Sequence, residues 1–186
     1  MADSNITKKA LAAALKELMI EMQFSKISVR MICEKCDMNR KSFYYHFKDK
    51  YELVNWIFDT EFTSENAHIE DDSGWERLER VCCYFFENKH FYKKVFKIDG
   101  QNSFVEHCRG LLLPLLREKI ASIMNSNDIP DFYVNLLADF VLCTVKRWLL
   151  ERNPLQPQIF VSLLKNLIES GGVYVYRSTM GDMGGI

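Results

Sequence analysis

Residues 24–58, FSKISVRMICEKCDMNRKSFYYHFKDKYELVNWIF, decide the fold of this chain. Val29–Cys36 reads as a short helix, Asp37–Met38 as a tight turn and Asn39–Phe47 as a second short helix. That is a helix-turn-helix, a shape that fits the major groove of DNA. Ser28 is placed to cap the first helix and Asn39 the second, because a short polar side chain there accepts from amides the helix leaves unbonded. Phe43 and Phe47, four residues apart, face inward together and turn Tyr44 and its neighbours outward. The second helix then offers Arg40, Lys41, Ser42, Tyr44, Tyr45 and His46 to phosphates and base edges. A helix meant only for packing has no need of so many donors.

Charge points the same way. Residues 26–50 hold Lys26, Arg30, Lys35, Arg40, Lys41, Lys48 and Lys50 against Glu34, Asp37 and Asp49, a local +4 in a chain whose net charge is −1. The remainder is therefore acidic. A basic face on an acidic body turns one side toward a polyanion and keeps the other away from it. Lys50, at the start of a fourth helix, is expected to meet a DNA phosphate together with the helix dipole.

Phe24, Ile27–Ser28–Val29–Arg30, Ile32–Cys33, Ser42 through Lys50 and Leu53 resemble the DNA-binding domain of the TetR (tetracycline-repressor) family. Tyr44–Tyr45–His46–Phe47 followed by Lys48–Asp49–Lys50 is close to that family's Y-x-H-F-x-x-K signature. The resemblance covers roughly the first third of the chain. Where the family usually has Gly in the turn, this chain has Asp37, a residue that tolerates left-handed backbone better than most. The resemblance implies a base or phosphate contact for Arg30. The DNA-binding residues expected are Ser28, Arg30, Asn39, Arg40, Lys41, Ser42, Tyr44, Tyr45, His46 and Lys50.

Outward from this segment the chain reads as helices. Leu11, Leu15, Leu18 and Met22 form an amphipathic stripe on a first helix from about Asn5 to Met22. Asp49 and Glu52 have the spacing of a capping box, so a linking helix should run from there to about Ser64. Asp71–Gly74, Ile98–Asn102 and Asn125–Pro130 are breaks between helices expected at Trp75–Asn88, Phe91–Phe96 and Phe104–Met124, the last with a kink or break at Pro114. Phe132–Arg152 and Gln156–Ser170 form a pair joined at Asn153–Pro154. The tail from Gly171 has five glycines and no usable period, and Val173–Tyr176 alone alternates like a strand. The expected organisation is a head, 1–50, with a linking helix, 51–64; a helical effector-binding and dimerisation domain, 65–170; and a Gly-rich tail, 171–186.

Tyr133, Leu137, Phe140, Val141, Thr144 and Trp148 make one apolar stripe, and Ile159, Phe160, Leu163, Leu164, Leu167 and Ile168 another. Both are too wide for one helix pair at a domain edge to bury, and a four-helix bundle with a second copy solves the problem. The expected interface is Tyr133, Leu137, Phe140, Thr144, Trp148, Phe160, Leu163, Leu164 and Leu167. Val145–Leu149 with Asn153–Pro154 is also similar to the C-terminal part of the dihydroxyacetone-kinase regulators within the TetR family. The aromatics of residues 75–124 read mainly as core. The resemblance adds an effector pocket there, for which Phe86, Tyr92, Phe96, Phe104, His107, Cys108 and Arg109 are the candidates.

Cys33-x-x-Cys36 lacks the two further ligands that zinc requires, and packing is the plainer reading; Cys82, His107 and Cys108 keep a thiol or metal sensor as an alternative. No nucleophile motif, phosphate-binding glycine loop or H-E-x-x-H is present, so neither an enzyme nor a cofactor is expected. The N-terminus has no signal-peptide pattern and the cysteines suit reduced thiols, so a cytoplasmic protein is expected. Together these readings describe an all-α, homodimeric, operator-binding regulator, most simply a repressor, controlled by a small molecule or by a protein partner.

Overall fold

The computed structural model describes the backbone of residues 2–66, 74–98, 103–124 and 128–182, and the side chains of residues 4–62, 74–98, 103–121 and 128–170. Among them the order is α1 (Ala2–Glu21), a 3-10 turn (Phe24–Lys26), α2 (Val29–Lys35), α3 (Arg40–His46), α4 (Lys50–Asn66), α5 (Gly74–Glu87), α6 (Lys89–Val95), α7 (Phe104–Met124), α8 (Asp131–Leu150) and α9 (Pro157–Asp182). No strand occurs among the described residues, and the chain is all-α. No described helix is long and apolar enough to cross a membrane.

The head forms where sequence signals agree. Leu11 and Leu15 of α1 are fully buried with Ile32, Cys33 and Phe43, while Leu18 and Met22 pack at the margin. Ser28 Oγ accepts from Met31 N at 3.2 Å, and Asn39 Oδ1 accepts from Ser42 N at 2.9 Å, so both short helices have their expected caps. Asp49 Oδ1 accepts from Tyr51 N and Glu52 N and starts α4. Glu52 reaches back one residue further than a standard capping box and accepts from Lys48 N at 2.6 Å. Asp37 takes φ 52°, the left-handed conformation that the turn demands.

The body is built around aromatic rings. Phe58 of α4, Tyr84 and Phe85 of α5, Tyr92 of α6, Phe96 and Phe104 are all buried. Their centroids lie 4.8–6.4 Å apart, mostly tilted or edge-on, as ring quadrupoles prefer. A second cluster stacks Phe86, Trp148 and Phe160, with Trp148 and Phe160 4.6 Å apart and nearly parallel.

Two expectations change. Pro114 does not end its helix: α7 is continuous from Phe104 to Met124, and the proline lies on its exposed side. Helix α9 does not stop at Ser170 but continues through the glycines to Asp182, including Val173–Tyr176. Fourteen residues of established helix, Pro157–Ser170, reduce the cost of continuing, because only nucleation is expensive. The breaks expected at 71–73 and 99–102, and residues 125–127 of the third, lie outside the described residues; Asp128–Pro130 is irregular.

Candidate nucleic-acid interface

Helix α3 is anchored from below and open above. Phe43 has no exposed surface, and Phe47, its C-cap, is buried against Trp56. This fixes the roll of α3 about its axis. Arg40, Lys41, Tyr44 and Tyr45 are consequently exposed, Tyr45 at 83% of its surface. The Arg40 guanidinium lies 5.7 Å from the Tyr44 ring centroid and donates to Tyr44 Oη at 3.4 Å, so the ring helps to extend it from the first turn. Tyr45 and His46 pack edge to face. Arg30 is exposed on α2, and its Nε donates to Glu34 at 2.6 Å. Ser28, Asn39 and Ser42 are occupied in capping.

Lys50 has partners within the chain. Its Nζ donates to the carbonyls of Phe24 at 2.8 Å and Ile27 at 2.6 Å, and sits 4.4 Å from the centroid of the Phe24 ring. Burial pulls its ammonium below the ordinary lysine value. The cation ties the start of α4 to the segment of chain entering α2.

The nine residues expected at the C-terminal interface divide between two faces. Tyr133, Phe140, Leu163 and Leu167 are exposed, Leu163 at 57% and Leu167 at 61%. Trp148, Phe160 and Leu164 are instead buried within the chain's own core. Leu137 packs against that core, and Thr144 is half-buried with its hydroxyl donating to Phe140 O. The sequence reading merged two stripes one residue apart: 159, 163 and 167 face out, while 160, 164 and 168 face in. Phe132 and Leu136 of α8 and Ile159 of α9 complete the outward apolar face. Ile159 was already in the apolar stripe of α9; for Phe132 and Leu136 the four-residue spacing to Phe140 was the signal that could have found them.

Five of the seven effector candidates meet at the aromatic core, where the His107 ring lies 6.3 Å from Phe104 and 6.4 Å from Phe58, while Phe86 and Arg109 lie apart from it. Tyr92, Phe96 and Phe104 are part of the packed aromatic core. Cys108 adjoins it, and burial pushes its thiol up, so the unreactive protonated form is favoured. His107 Nε2 lies 2.7 Å from Asp59 Oδ1 on α4. Phe86 stacks on Trp148, and Arg109 is held on α8 by Asp139 at 3.0 Å and Asn135 at 2.7 Å. Cys33 is buried and Cys36 donates to Ile32 O, as packing thiols would. No group of His, Cys, Asp and Glu among the described residues could hold a metal ion.

A polar relay that the sequence reading missed joins the head to the body. Lys16 of α1 pairs with Glu61 of α4 at 2.6 Å; Tyr84 donates to Glu61, and Tyr92 donates to Tyr84. Partners 45 residues apart have no spacing signal in sequence.

Comparison with known proteins follows this division of the molecule. Residues 10–57 match the model of bacterial regulatory proteins of the tetR family, and residues 75–170 match that of a transcriptional regulator C-terminal region. The HTH-type dhaKLM operon transcriptional activator DhaS of Lactococcus lactis subsp. lactis (strain IL1403) is 37% identical over 100 residues, 53% of this chain and 54% of that protein. The match thus spans about half the length of that relative. Among solved structures, a dihydroxyacetone kinase operon activator DhaS superposes with a TM-score of 0.61 at 26% identity, over 89% of this chain and 96% of that one. A TetR transcriptional regulator from Streptococcus agalactiae 2603V has a TM-score of 0.64 at 24% identity, over 87% and 93%. NalD, the secondary repressor of the MexAB-OprM multidrug efflux pump in Pseudomonas aeruginosa, has a TM-score of 0.53 at 15% identity, over 89% and 96%. The last two likenesses speak to the fold.

Proposed function

The chain belongs to the TetR family of transcriptional regulators, with a DhaS-like C-terminal part, and on that premise we propose that it binds operator DNA as a homodimer and represses transcription until a small molecule releases it. The observation that carries the DNA reading is the exposed polar face of α3, with Arg40, Lys41, Tyr44 and Tyr45 held outward by the buried Phe43. A helix of this size enters the major groove with its N-terminal residues on base edges. Arg40 then reads a base, and Lys41, Arg30 and His46 meet phosphates. Residues 1–50 act as the head, and the outward face of α8 and α9 joins two copies.

Selection from random duplexes tests this. The expected product is a palindrome with half-sites about one helical turn or a little more apart, bound with an affinity that falls steeply as added salt makes counterion release less favourable. Equal affinity for random duplex, or none of this salt dependence, would refute it.

Two observations favour second readings. The 37% identical relative is named an activator, which supports activation as the sign of control; a promoter fusion in the presence and absence of the gene separates the two. The filled aromatic core, in which Tyr92, Phe96 and Phe104 are fully buried, supports control by a protein partner in place of a small ligand. If no small molecule from a broad metabolite panel changes operator affinity while a cell extract does, the partner reading stands.

A further inference from the structure

Helix α6 has seven residues, and two adjacent lysines on it grip the ends of two other helices. Lys94 Nζ donates to the carbonyls of Met19, Ile20 and Met22, the last at 3.4 Å and Ile20 at 3.1 Å, where α1 ends. Lys93 Nζ donates to the carbonyl of Glu151, the C-cap of α8. A helix C-terminus presents carbonyls without intrahelical partners and carries the negative end of the helix dipole, so an ammonium is the group it attracts. Helix α1 has no basic residue of its own in its last turn. Lys94 supplies that charge from a distant part of the chain.

The opposite face of α6 is immobilised. Tyr92, Val95 and the C-cap Phe96 are buried in the aromatic core, so the two lysines extend from a rigid base. Phe91 on the same helix lies under Lys16 of α1, 5.7 Å from its ammonium. The helices gripped belong to different tasks. The end of α1 leads through the turn Phe24–Lys26 into α2 and α3, and α8 carries the outward apolar face.

We propose that Lys93 and Lys94 are positioning residues for operator recognition: by holding α8 and α1 in one grip, α6 fixes where α3 stands relative to the dimer, and so fixes the half-site spacing that the dimer accepts. This rests on the operator-binding reading above. Each added base pair moves a half-site about 3.4 Å along and roughly 35° around the duplex. A head held firmly at one place therefore discriminates between spacers, and a head released from α6 does so less.

The test uses the full-length protein and a series of duplexes carrying the selected palindrome with its spacer changed by single base pairs. Wild type is expected to lose at least about tenfold in affinity one base pair from its optimum, a coupling of ordinary size for two linked sites. Lys94→Met is expected to reduce that discrimination to below about threefold, with Lys93→Met acting in the same direction and Lys94→Arg, which keeps the cation, retaining most of it. A loss in Lys94→Met that is equal at every spacer would mean a merely structural role and would overturn the proposal, as would an unchanged profile. Should wild type bind no palindrome, the DNA reading itself fails, and amide exchange still decides the grip. Faster exchange in α1, α2 and α3 together in Lys94→Met supports it. A rise confined to the last turn of α1, or no rise, overturns it.

Discussion

The outer face of α3 and the outer faces of α8 and α9 are both uncovered in a single chain, but they are uncovered in opposite chemistry. On α3 the exposed side chains are Arg40, Lys41, Tyr44 and Tyr45, all with polar tips that water satisfies. On α8 and α9 they are Phe132, Leu136, Phe140, Ile159, Leu163 and Leu167, which water does not. A polar face can wait for its partner, since exposure costs it nothing. An apolar face of that extent is unfavourable in water at all times and suits a partner that is always present, such as a second copy. On the proposed function, the contrast is one between a reversible surface and a permanent one.

Charging the outward apolar face of α8 and α9 has the largest expected effect. Leu163→Glu with Leu167→Glu places four carboxylates across the two-fold axis of a dimer, a penalty of several kcal/mol, on the order of the whole stability of a small domain. Sedimentation should show a monomer, and operator binding should be lost although the head is unchanged. A variant that stays dimeric would place the interface on other helices.

One residue away the same chemistry has another outcome. Phe160 is stacked on Trp148 inside the chain, so Phe160→Ala should lower unfolding free energy by about 3 kcal/mol through the cavity it leaves. Denaturant titration reads this. Dissociation of a still-folded chain in place of unfolding would show that Phe160 belongs to the outward face after all.

On the polar face of α3 the informative change is Arg40→Ala. It should cost about 1–3 kcal/mol on the selected operator and relax preference at one base pair, with the unfolding free energy unmoved. An equal loss on random duplex would make Arg40 a phosphate contact. The smallest effect expected is a gain. Asp37 occupies left-handed backbone at φ 52°, so Asp37→Gly should stabilise the head by about 0.5–1 kcal/mol. A loss would mean that the Asp37 side chain contributes more than its backbone strain costs.

Local signals were readable because they act over a few residues. Ser28, Asn39 and Asp49 cap the helices they precede, Phe43 and Phe47 set the roll of α3, and Asp37 takes the strained turn. Each follows from spacing and from the chemistry of one or two side chains. Helix continuation was less readable: the glycines after Ser170 are poor helix formers, and a helix already formed carried them to Asp182.

By itself, then, the sequence determined an all-α chain, a helix-turn-helix with its donors outward, and two C-terminal helices with more apolar surface than one helix pair can bury. What only the tertiary structure decided is which neighbour each group meets. The inward and outward stripes of α9 differ by one residue, about 100° around the helix, and hydrophobicity is the same on both; packing on Trp148 chose between them. The Lys50 ammonium meets carbonyls because the fold brings those of Phe24 and Ile27 within its reach. Lys94 meets the end of α1 across more than 70 residues of chain. A cation attracts any acceptor, so its partner is fixed by where the folded backbone brings one within reach.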